Sequence, residues 1–180
     1  MLKLMYITNS PEVASIADGA GVDRIFIDLE QYGKEKRQKN WDSVKSKHSI
    51  SDIPKVKSAV KNAQIFVRTD PIFDGFSDEL EGVLACEPDV VMLPYFKTVR
   101  EVETFIKAVD GRATTSLLLE TKEAAEQIDD IISVGGIDEI HIGLNDLSKS
   151  SSLRSWRTAL WTDSLNASKP TGSRTTASAE

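Results

Sequence analysis

The sequence predicts a parallel α/β fold, most simply an incomplete (β/α)8 TIM barrel. Short apolar runs alternate with helical patterns through residues 1–150. Strands that alternate with helices form βαβ units and a parallel sheet. Right-handed crossovers all coil the same way, so such a sheet either doubles back or closes. Six units with no sign of a second domain fit a barrel that lacks its last two units, and an open doubly wound sheet is the alternative.

The predicted elements follow from local patterns. Ser10 and Pro11 have the residue types of a helix N-cap and a first helical position, and they predict a helix over 11–20. Val102, Phe105 and Val109 share one face of a helix predicted over 99–109, and a further helix is predicted over 122–134. The six strands are predicted at residues 2–8, 23–30, 64–70, 89–95, 115–121 and 139–145.

Composition narrows the functional classes. The formal net charge of −6 argues against nonspecific binding to nucleic acid or to an anionic membrane surface. No apolar run is long enough to span a bilayer, and the first residues lack a signal-peptide pattern. The single cysteine, Cys86, cannot form an internal disulfide, so we expect a cytoplasmic protein with Cys86 as a small buried residue.

Polar residues end several of the predicted strands. In parallel α/β folds ligands bind at the carboxyl ends of the strands, so these residues should share one edge. We call this edge the rim. Its candidate residues are Asp28 and Glu30, Arg68 and Asp70, Glu120, and the group Gly143, Asn145 and Asp146.

The chemistry of the rim suggests an ion and an anionic ligand. Glu120 and Asp146, with water, could hold Mg²⁺ or Mn²⁺, which prefer oxygen ligands. Arg68 could neutralise a substrate oxygen or a developing enolate. Gly143 lets the backbone approach a ligand, and free N–H groups near it and Asn145 could bind a substrate carboxylate.

The sequence resembles the HpcH/HpaI aldolase and citrate lyase family at five segments in order: FIDLE, VRTD, VVMLPYFKTVREVETF, LLLET and IHIGLNDLS. The resemblance covers about residues 1–150. It implies a metal-dependent barrel that makes or cleaves a carbon–carbon bond next to a 2-oxo acid or acyl thioester. It implies that Glu120 and Asp146 are the metal ligands, that Arg68 polarises the keto or enolate oxygen, and that Asp28 and Glu30 lie near the metal's water.

One position departs from this pattern. Pyruvate aldolases of the family have a histidine where this chain has Gln31, and the citrate lyase and malyl-CoA lyase branch usually has an acidic residue there. Gln31 cannot titrate, so a metal-bound water is the remaining candidate for the base. The two histidines are His48, within the Lys-rich segment 33–53 that we interpret as a solvated helix face and loop, and His141, which we interpret as structural.

Three functions are therefore predicted as alternatives. The first is a metal-dependent aldolase that acts on a 2-oxo acid and releases an aldehyde. The second is an acyl-CoA lyase, and the third is a noncatalytic remnant or binding module. The resemblance also implies a homo-oligomer for an intact family member.

The pattern changes after residue 150, where Ser, Thr and Arg replace the expected core residues. Read one nucleotide earlier, permitted codons for residues 161–168 give LDGLVERL, and those for 169–180 give EADGIPYDCVGG, which suit a seventh βα unit. We hypothesise that much of 151–180 is frameshifted, with a genuine divergent tail as the alternative. We expect 151–180 to be disordered, and the chain to be marginally stable, prone to aggregation and inactive because two edge strands are exposed.

Overall fold

The structure is a computed structural model that describes residues 3–31 and 48–150. Strands alternate with helices throughout these ranges. The strands are β1 (Met5–Ile7), β2 (Arg24–Asp28), β3 (Gln64–Arg68), β4 (Val90–Leu93), β5 (Thr114–Leu119) and β6 (Glu139–Ile142). The helices are α1 (Pro11–Gly19), α2 (Asp52–Ala59), α3 (Phe76–Leu84), α4 (Val99–Val109), α5 (Lys122–Glu126), α6 (Ile128–Ile132) and α7 (Leu144–Ser150).

The six strands form one parallel sheet in the order β1-β2-β3-β4-β5-β6. A doubly wound sheet would reverse its strand order at a switch point. This sheet has no reversal, so the doubly wound alternative is wrong.

A side-chain pair across the sheet shows that it is curled. Arg24 at the start of β2 donates to both carboxylate oxygens of Glu139 at the start of β6, over 2.7 and 2.5 Å. Strands β3, β4 and β5 lie between these two in the order of the sheet. In a flat sheet the two strands would be about 19 Å apart, beyond the reach of the two side chains. The curled six-stranded sheet confirms the predicted incomplete barrel.

Alternate residues of the strands face two different cores. Ile25, Ile27 and their counterparts on later strands pack against the helices in a large apolar cluster. The inward face carries a smaller cluster made of Phe26, Phe66, Val90, Met92 and the partly buried Leu118. Because side chains alternate along a strand, the same inward face that carries Phe26 and Phe66 presents Asp28 and Arg68 at the carboxyl ends.

A repeated aspartate contact fixes the register at the opposite, amino end of the strands. An aspartate lies just before β2, β4 and β6. In each case its carboxylate accepts a backbone N–H of a residue that lies at or next to the start of the preceding strand. The bonds join Leu4 N to Asp23 Oδ2 at 2.8 Å, Ile65 N to Asp89 Oδ2 at 2.7 Å, and Thr115 N to Asp138 Oδ2 at 2.8 Å. Each bond satisfies a strand-end donor that would otherwise lack a partner.

The helices follow their predicted signals, with one correction. Ser10 Oγ accepts the N–H of Val13 at the start of α1, and Thr98 forms a capping box with Glu101 at the start of α4. The single helix predicted over 122–134 is wrong, because α5 and α6 meet at Gln127, whose backbone leaves the helical region (φ −114°, ψ 19°). The Gln127 side chain donates to the carbonyls of Lys97 and Glu123, which stabilises the break.

Both edges of the sheet are apolar and exposed. On β1, Tyr6 and Ile7 are 47% and 58% exposed, and on β6 and the start of α7, Ile142 and Leu144 are 48% and 65% exposed. None of the helices in the described ranges has the length and apolar character needed to cross a bilayer. The predictions made for residues 33–47 and for the tail at 151–180 lie outside the described residues.

Candidate functional site

The carboxyl ends of four strands bring the predicted rim residues to one end of the sheet. Asp28 and Arg68 are the last residues of β2 and β3, and they are direct neighbours in the strand register. Glu30 and Glu120 follow β2 and β5 within two residues. Gly143 follows β6 directly, and Asn145 and Asp146 lie in the first turn of α7.

Arg68 is held by two carboxylates. Its Nε and Nη2 donate to Asp28 Oδ1 and Oδ2 over 2.9 and 2.8 Å, and its Nη1 lies 3.2 Å from Glu30 Oε2. Burial alone would lower the pKa of Arg68, but the hydrogen bond to Asp28 and the charges of Asp28, Glu30 and Glu120 raise the pKa above its ordinary value. The guanidinium is therefore a fixed, permanent positive charge at the rim.

Glu120 is a buried carboxyl group close to other acids. Its side chain is 5% exposed, and its Oε1 accepts the N–H of Tyr95 at 3.1 Å. Burial first, and then the charges of Glu30 and Asp146, raise the pKa of Glu120 to about 7, although Arg68 and the hydrogen bond from Tyr95 oppose this. The Glu120 carboxyl is therefore harder to ionise than an exposed glutamate, chiefly because it is buried.

Tyr95 was not among the predicted site residues. Its backbone is left-handed, with φ of 50°, which is costly for a residue with a Cβ. Its amide N–H is the group that contacts Glu120 Oε1. Strained backbone of this kind clusters at functional positions, but one sequence gives no signal of it.

Gly143 brings β6 close to Glu120. A Cβ atom at position 143 would lie 2.7 Å from Glu120 Cβ and 3.2 Å from Glu120 Oε2. The close approach explains why the position needs glycine. Free N–H groups were expected in the region of Gly143 and Asn145, and for Gly143 itself this is wrong, because its N–H donates to the Leu119 carbonyl at 2.9 Å in continuation of the strand ladder.

Asp70 and Gln31 form the outer part of the rim. The Gln31 N–H donates to Asp70 Oδ1 at 2.6 Å, and the Asp70 N–H donates to Glu79 Oε1 at 3.0 Å. Burial and the Asp70 charge raise the pKa of Glu79 above its ordinary value, against the bond from the Asp70 amide. Asp70 therefore joins the loop after β2 to α3.

His48 is the second residue that sequence reasoning missed. The Lys-rich segment suggested a solvated position, but His48 is 3% exposed and its Nδ1 accepts the N–H of Asp28 at 2.9 Å. His141 lies on β6, as predicted, with its ring edge against Phe66 and its Nε2 3.4 Å from Glu139 Oε2.

The rim suits a hydrated divalent cation by its donor chemistry and charge. Glu120 and Asp146 offer oxygen ligands. The pKa of Glu120 is raised chiefly by burial and further by the charges of Glu30 and Asp146, and a bound cation would oppose both effects by favouring the carboxylate. Within residues 3–31 and 48–150, no three His, Cys, Asp or Glu side chains converge as a complete protein-ligand set. Magnesium typically keeps several waters and binds through one or two carboxylates, so a pair of carboxylates is sufficient.

Solved structures share this fold at low sequence identity. An HpcH/HpaI aldolase/citrate lyase family protein from Burkholderia cenocepacia J2315 is 13% identical over 92% of this chain and 74% of its own, with a TM-score of 0.70. An HpcH/HpaI aldolase from Desulfitobacterium hafniense DCB-2 is 16% identical over 82% and 64%, with a TM-score of 0.61. A citrate lyase from Burkholderia xenovorans LB400 is 16% identical over 89% and 54%, with a TM-score of 0.61. The chain thus spans less than two thirds of the last two proteins.

The family assignment comes from a sequence model and agrees with the fold. No curated protein sequence matches the chain significantly. The model of the HpcH/HpaI aldolase/citrate lyase family matches residues 3–170, which include every rim residue. The chain belongs to the HpcH/HpaI aldolase/citrate lyase family.

Proposed function

We propose that the rim is the active site of a metal-dependent carbon–carbon lyase that acts on a 2-oxo acid through its enolate, with an aldehyde as the second product or substrate. The observation that carries the proposal is the Arg68 guanidinium, held by Asp28 and Glu30 beside the buried Glu120. Such a site offers one fixed positive charge and an acidic ion-binding pair side by side.

Arg68 would bind the keto oxygen of the substrate and stabilise the negative charge that develops there. A guanidinium has five N–H groups, and the contacts to Asp28 and Glu30 use three of them. Arg68 can therefore donate to a substrate oxygen without releasing its partners. Since the carboxylates fix the guanidinium before substrate binds, little reorganisation is needed during the reaction.

Glu120 and Asp146 would hold Mg²⁺ or Mn²⁺. When bound, the ion would act as a Lewis acid that polarises the 2-oxo acid. The Tyr95 N–H and the close backbone of Gly143 restrict Glu120 from two sides, and so fix the direction in which its carboxylate points. Asp28 and Glu30 would balance and orient Arg68, while Asn145, exposed at the start of α7, would contact the substrate.

Enolisation of pyruvate tests this proposal with the fewest assumptions. Every residue assigned above lies on the described strands or in the segments that follow them, up to the first turn of α7. We therefore expect this half-reaction in the 180-residue chain, despite the expectation of inactivity drawn from the sequence. The assay follows exchange of pyruvate methyl protons with deuterium by NMR, with and without Mg²⁺ or Mn²⁺. The Glu120→Ala variant should lower the exchange rate about 100-fold.

The control is Glu123→Ala, which removes an exposed glutamate of α5 and should leave exchange unchanged. Absence of metal-dependent exchange in the unmodified chain would overturn the proposal and favour a noncatalytic remnant. Cleavage of an acyl-CoA with no requirement for an aldehyde would instead favour the acyl-CoA lyase alternative.

A further inference from the structure

His48 lies against the end of β2 rather than in solvent. It is 3% exposed, and its Nδ1 accepts the backbone N–H of Asp28 at 2.9 Å. The Asp28 N–H is the donor, so Nδ1 carries no proton in this arrangement. The neutral imidazole therefore has its proton on Nε2.

The imidazole accepts an N–H of β2 that lies beyond the end of the neighbouring strand β1. Successive N–H groups of β2 point to opposite neighbours, and that of Leu29 points to β3, where it meets the Arg68 carbonyl at 2.9 Å. The Asp28 N–H therefore points to the β1 side. However, β1 ends at Ile7, which pairs with Phe26. Without the imidazole, this partly buried donor would have no strand partner.

A set of hydrogen bonds at the start of α2 holds the backbone next to His48. Asp52 Oδ2 accepts the N–H and the hydroxyl of Ser49, both at 3.0 Å, and the amide of Asn9 at 3.2 Å. Asn9 lies just after β1, so the backbone next to His48 is attached both to a helix and to the sheet. The backbone that carries the imidazole is thus held by both elements.

We propose that His48 is a positioning residue for the Arg68 guanidinium and acts through Asp28. The imidazole fixes the Asp28 backbone, and the Asp28 carboxylate fixes Nε and Nη2 of Arg68 over 2.9 and 2.8 Å. The inference rests on the proposed function only in that Arg68 binds the substrate oxygen. The geometry of the His48–Asp28–Arg68 chain is independent of the reaction.

Two variants separate this role from simple core packing. His48→Asn keeps an acceptor at the δ position, whereas His48→Gln moves it one bond further from the backbone. In the full chain, the Arg68 Nε–H resonance should remain protected from solvent exchange in His48→Asn and lose protection in His48→Gln. In the pyruvate assay, kcat should fall about 10- to 100-fold in His48→Gln and stay close to wild type in His48→Asn. His141→Asn replaces the other histidine of the chain, whose ring packs against Phe66, and as the matched control it should alter neither signal.

A direct readout needs no variant. Nitrogen NMR of the unmodified chain should show an unprotonated His48 Nδ1 coupled to the Asp28 amide proton. A protonated Nδ1 would overturn the inference. So would an Arg68 Nε–H that is equally protected, or equally unprotected, in His48→Asn and His48→Gln. If the unmodified chain shows no exchange of pyruvate protons, the proposed function fails, and the NMR comparison still decides the role of His48.

Discussion

Glu120 places function and stability in opposition at a single residue. Its folded pKa of about 7 lies above the ordinary value of 4.5, so the carboxyl destabilises the fold increasingly as pH rises from about 4.5 to 7. We predict that Glu120→Gln raises the free energy of unfolding by about 1–2 kcal/mol at pH 8 without metal, because glutamine still accepts from Tyr95 and carries no charge.

Denaturant titrations at pH 8 and pH 4 in the presence of a chelator measure this effect. The gain should be present at pH 8 and absent at pH 4, and pyruvate proton exchange should be lost in the variant. A variant that is less stable than wild type at pH 8 would show that Glu120 is stabilised by its surroundings.

Gly143 is required by a contact and not by its backbone angles. We predict that Gly143→Ala costs about 1–3 kcal/mol of stability and most of the exchange activity, because the new Cβ would displace Glu120. Thermal unfolding and the pyruvate assay measure both effects. Gly19→Ala is the control, since a Cβ there would meet nothing within 4 Å. Equal behaviour of the two variants would contradict the close approach.

Some of the rim residues could be predicted from the sequence, whereas the role of His48 could not. Asp28, Arg68 and Glu120 were identified because polar residues that end apolar runs must meet at one edge of a parallel sheet. His48 was missed because its role depends on the early end of β1, and no local pattern reports which backbone N–H lacks a strand partner. The occupied N–H of Gly143 was missed for the related reason that the ladder continues one residue past the apolar run.

At the scale of elements, the Arg24–Glu139 pair joins β2 to β6 across the inward face of the curled sheet. The hydrogen bond from Arg24 is the main cause that lowers the pKa of Glu139 to about 2. The pair should therefore stabilise the fold fully above pH 4.5 and lose this contribution as pH falls from about 4.5 to 2. We estimate the contribution at about 1–2 kcal/mol, since Glu139 is partly exposed to solvent.

Urea unfolding of the unmodified chain and of Glu139→Gln, compared between pH 2 and pH 7, measures this contribution. The difference in stability between the two proteins should disappear near pH 2. Glu126→Gln removes an exposed i,i+4 pair with Lys122 on α5 and should change stability by less than about 0.5 kcal/mol. A difference that persists at pH 2 would assign the effect to packing and not to charge.

Element boundaries show where local signals are sufficient. Helix α4 begins and ends at the predicted residues because its capping box and its apolar face at Val102, Phe105 and Val109 agree. The break at Gln127 was not predictable, because it depends on a side-chain contact with the carbonyl of Lys97 from another loop. All six strands end one to three residues before their predicted ends, because polar residues that follow the apolar runs were counted with the strands.

At the scale of the whole molecule, the exposed edges of the sheet should control solution behaviour. Ile7 on β1 and Ile142 on β6 are 58% and 48% exposed, and within the described residues neither edge strand has an outer strand partner. We predict concentration-dependent self-association, which the pair of substitutions Ile7→Lys and Ile142→Lys should reduce. Light scattering over a dilution series measures it.

Ile16→Lys provides the control, because Ile16 is 72% exposed but lies on a helix whose backbone groups are paired. If Ile16→Lys suppresses association as strongly as the edge substitutions, the cause is general apolar exposure. If the unmodified chain is monomeric throughout the series, the edges do not drive association.

The order of the sheet was predictable at this scale because six repeated βα units allow few arrangements. The face around which the sheet curls, which carries Phe26, Phe66 and Met92, was not predictable. It depends on how the inward side chains of distant strands pack. The family match to residues 3–170 agrees with the segments on which the resemblance was based.

The measurement that tests the central claim most directly is Mn²⁺-dependent relaxation of pyruvate methyl protons in the presence of the chain. If Glu120 and Asp146 hold the ion and Arg68 binds the substrate beside it, adding the protein to pyruvate and Mn²⁺ should speed the relaxation of the methyl protons. Adding the protein to pyruvate without Mn²⁺ should not. Glu120→Ala should remove the enhancement, and Glu123→Ala should preserve it. Relaxation that equals that of free Mn²⁺ and pyruvate, or that survives Glu120→Ala, would contradict a metal-dependent 2-oxo acid site at the rim.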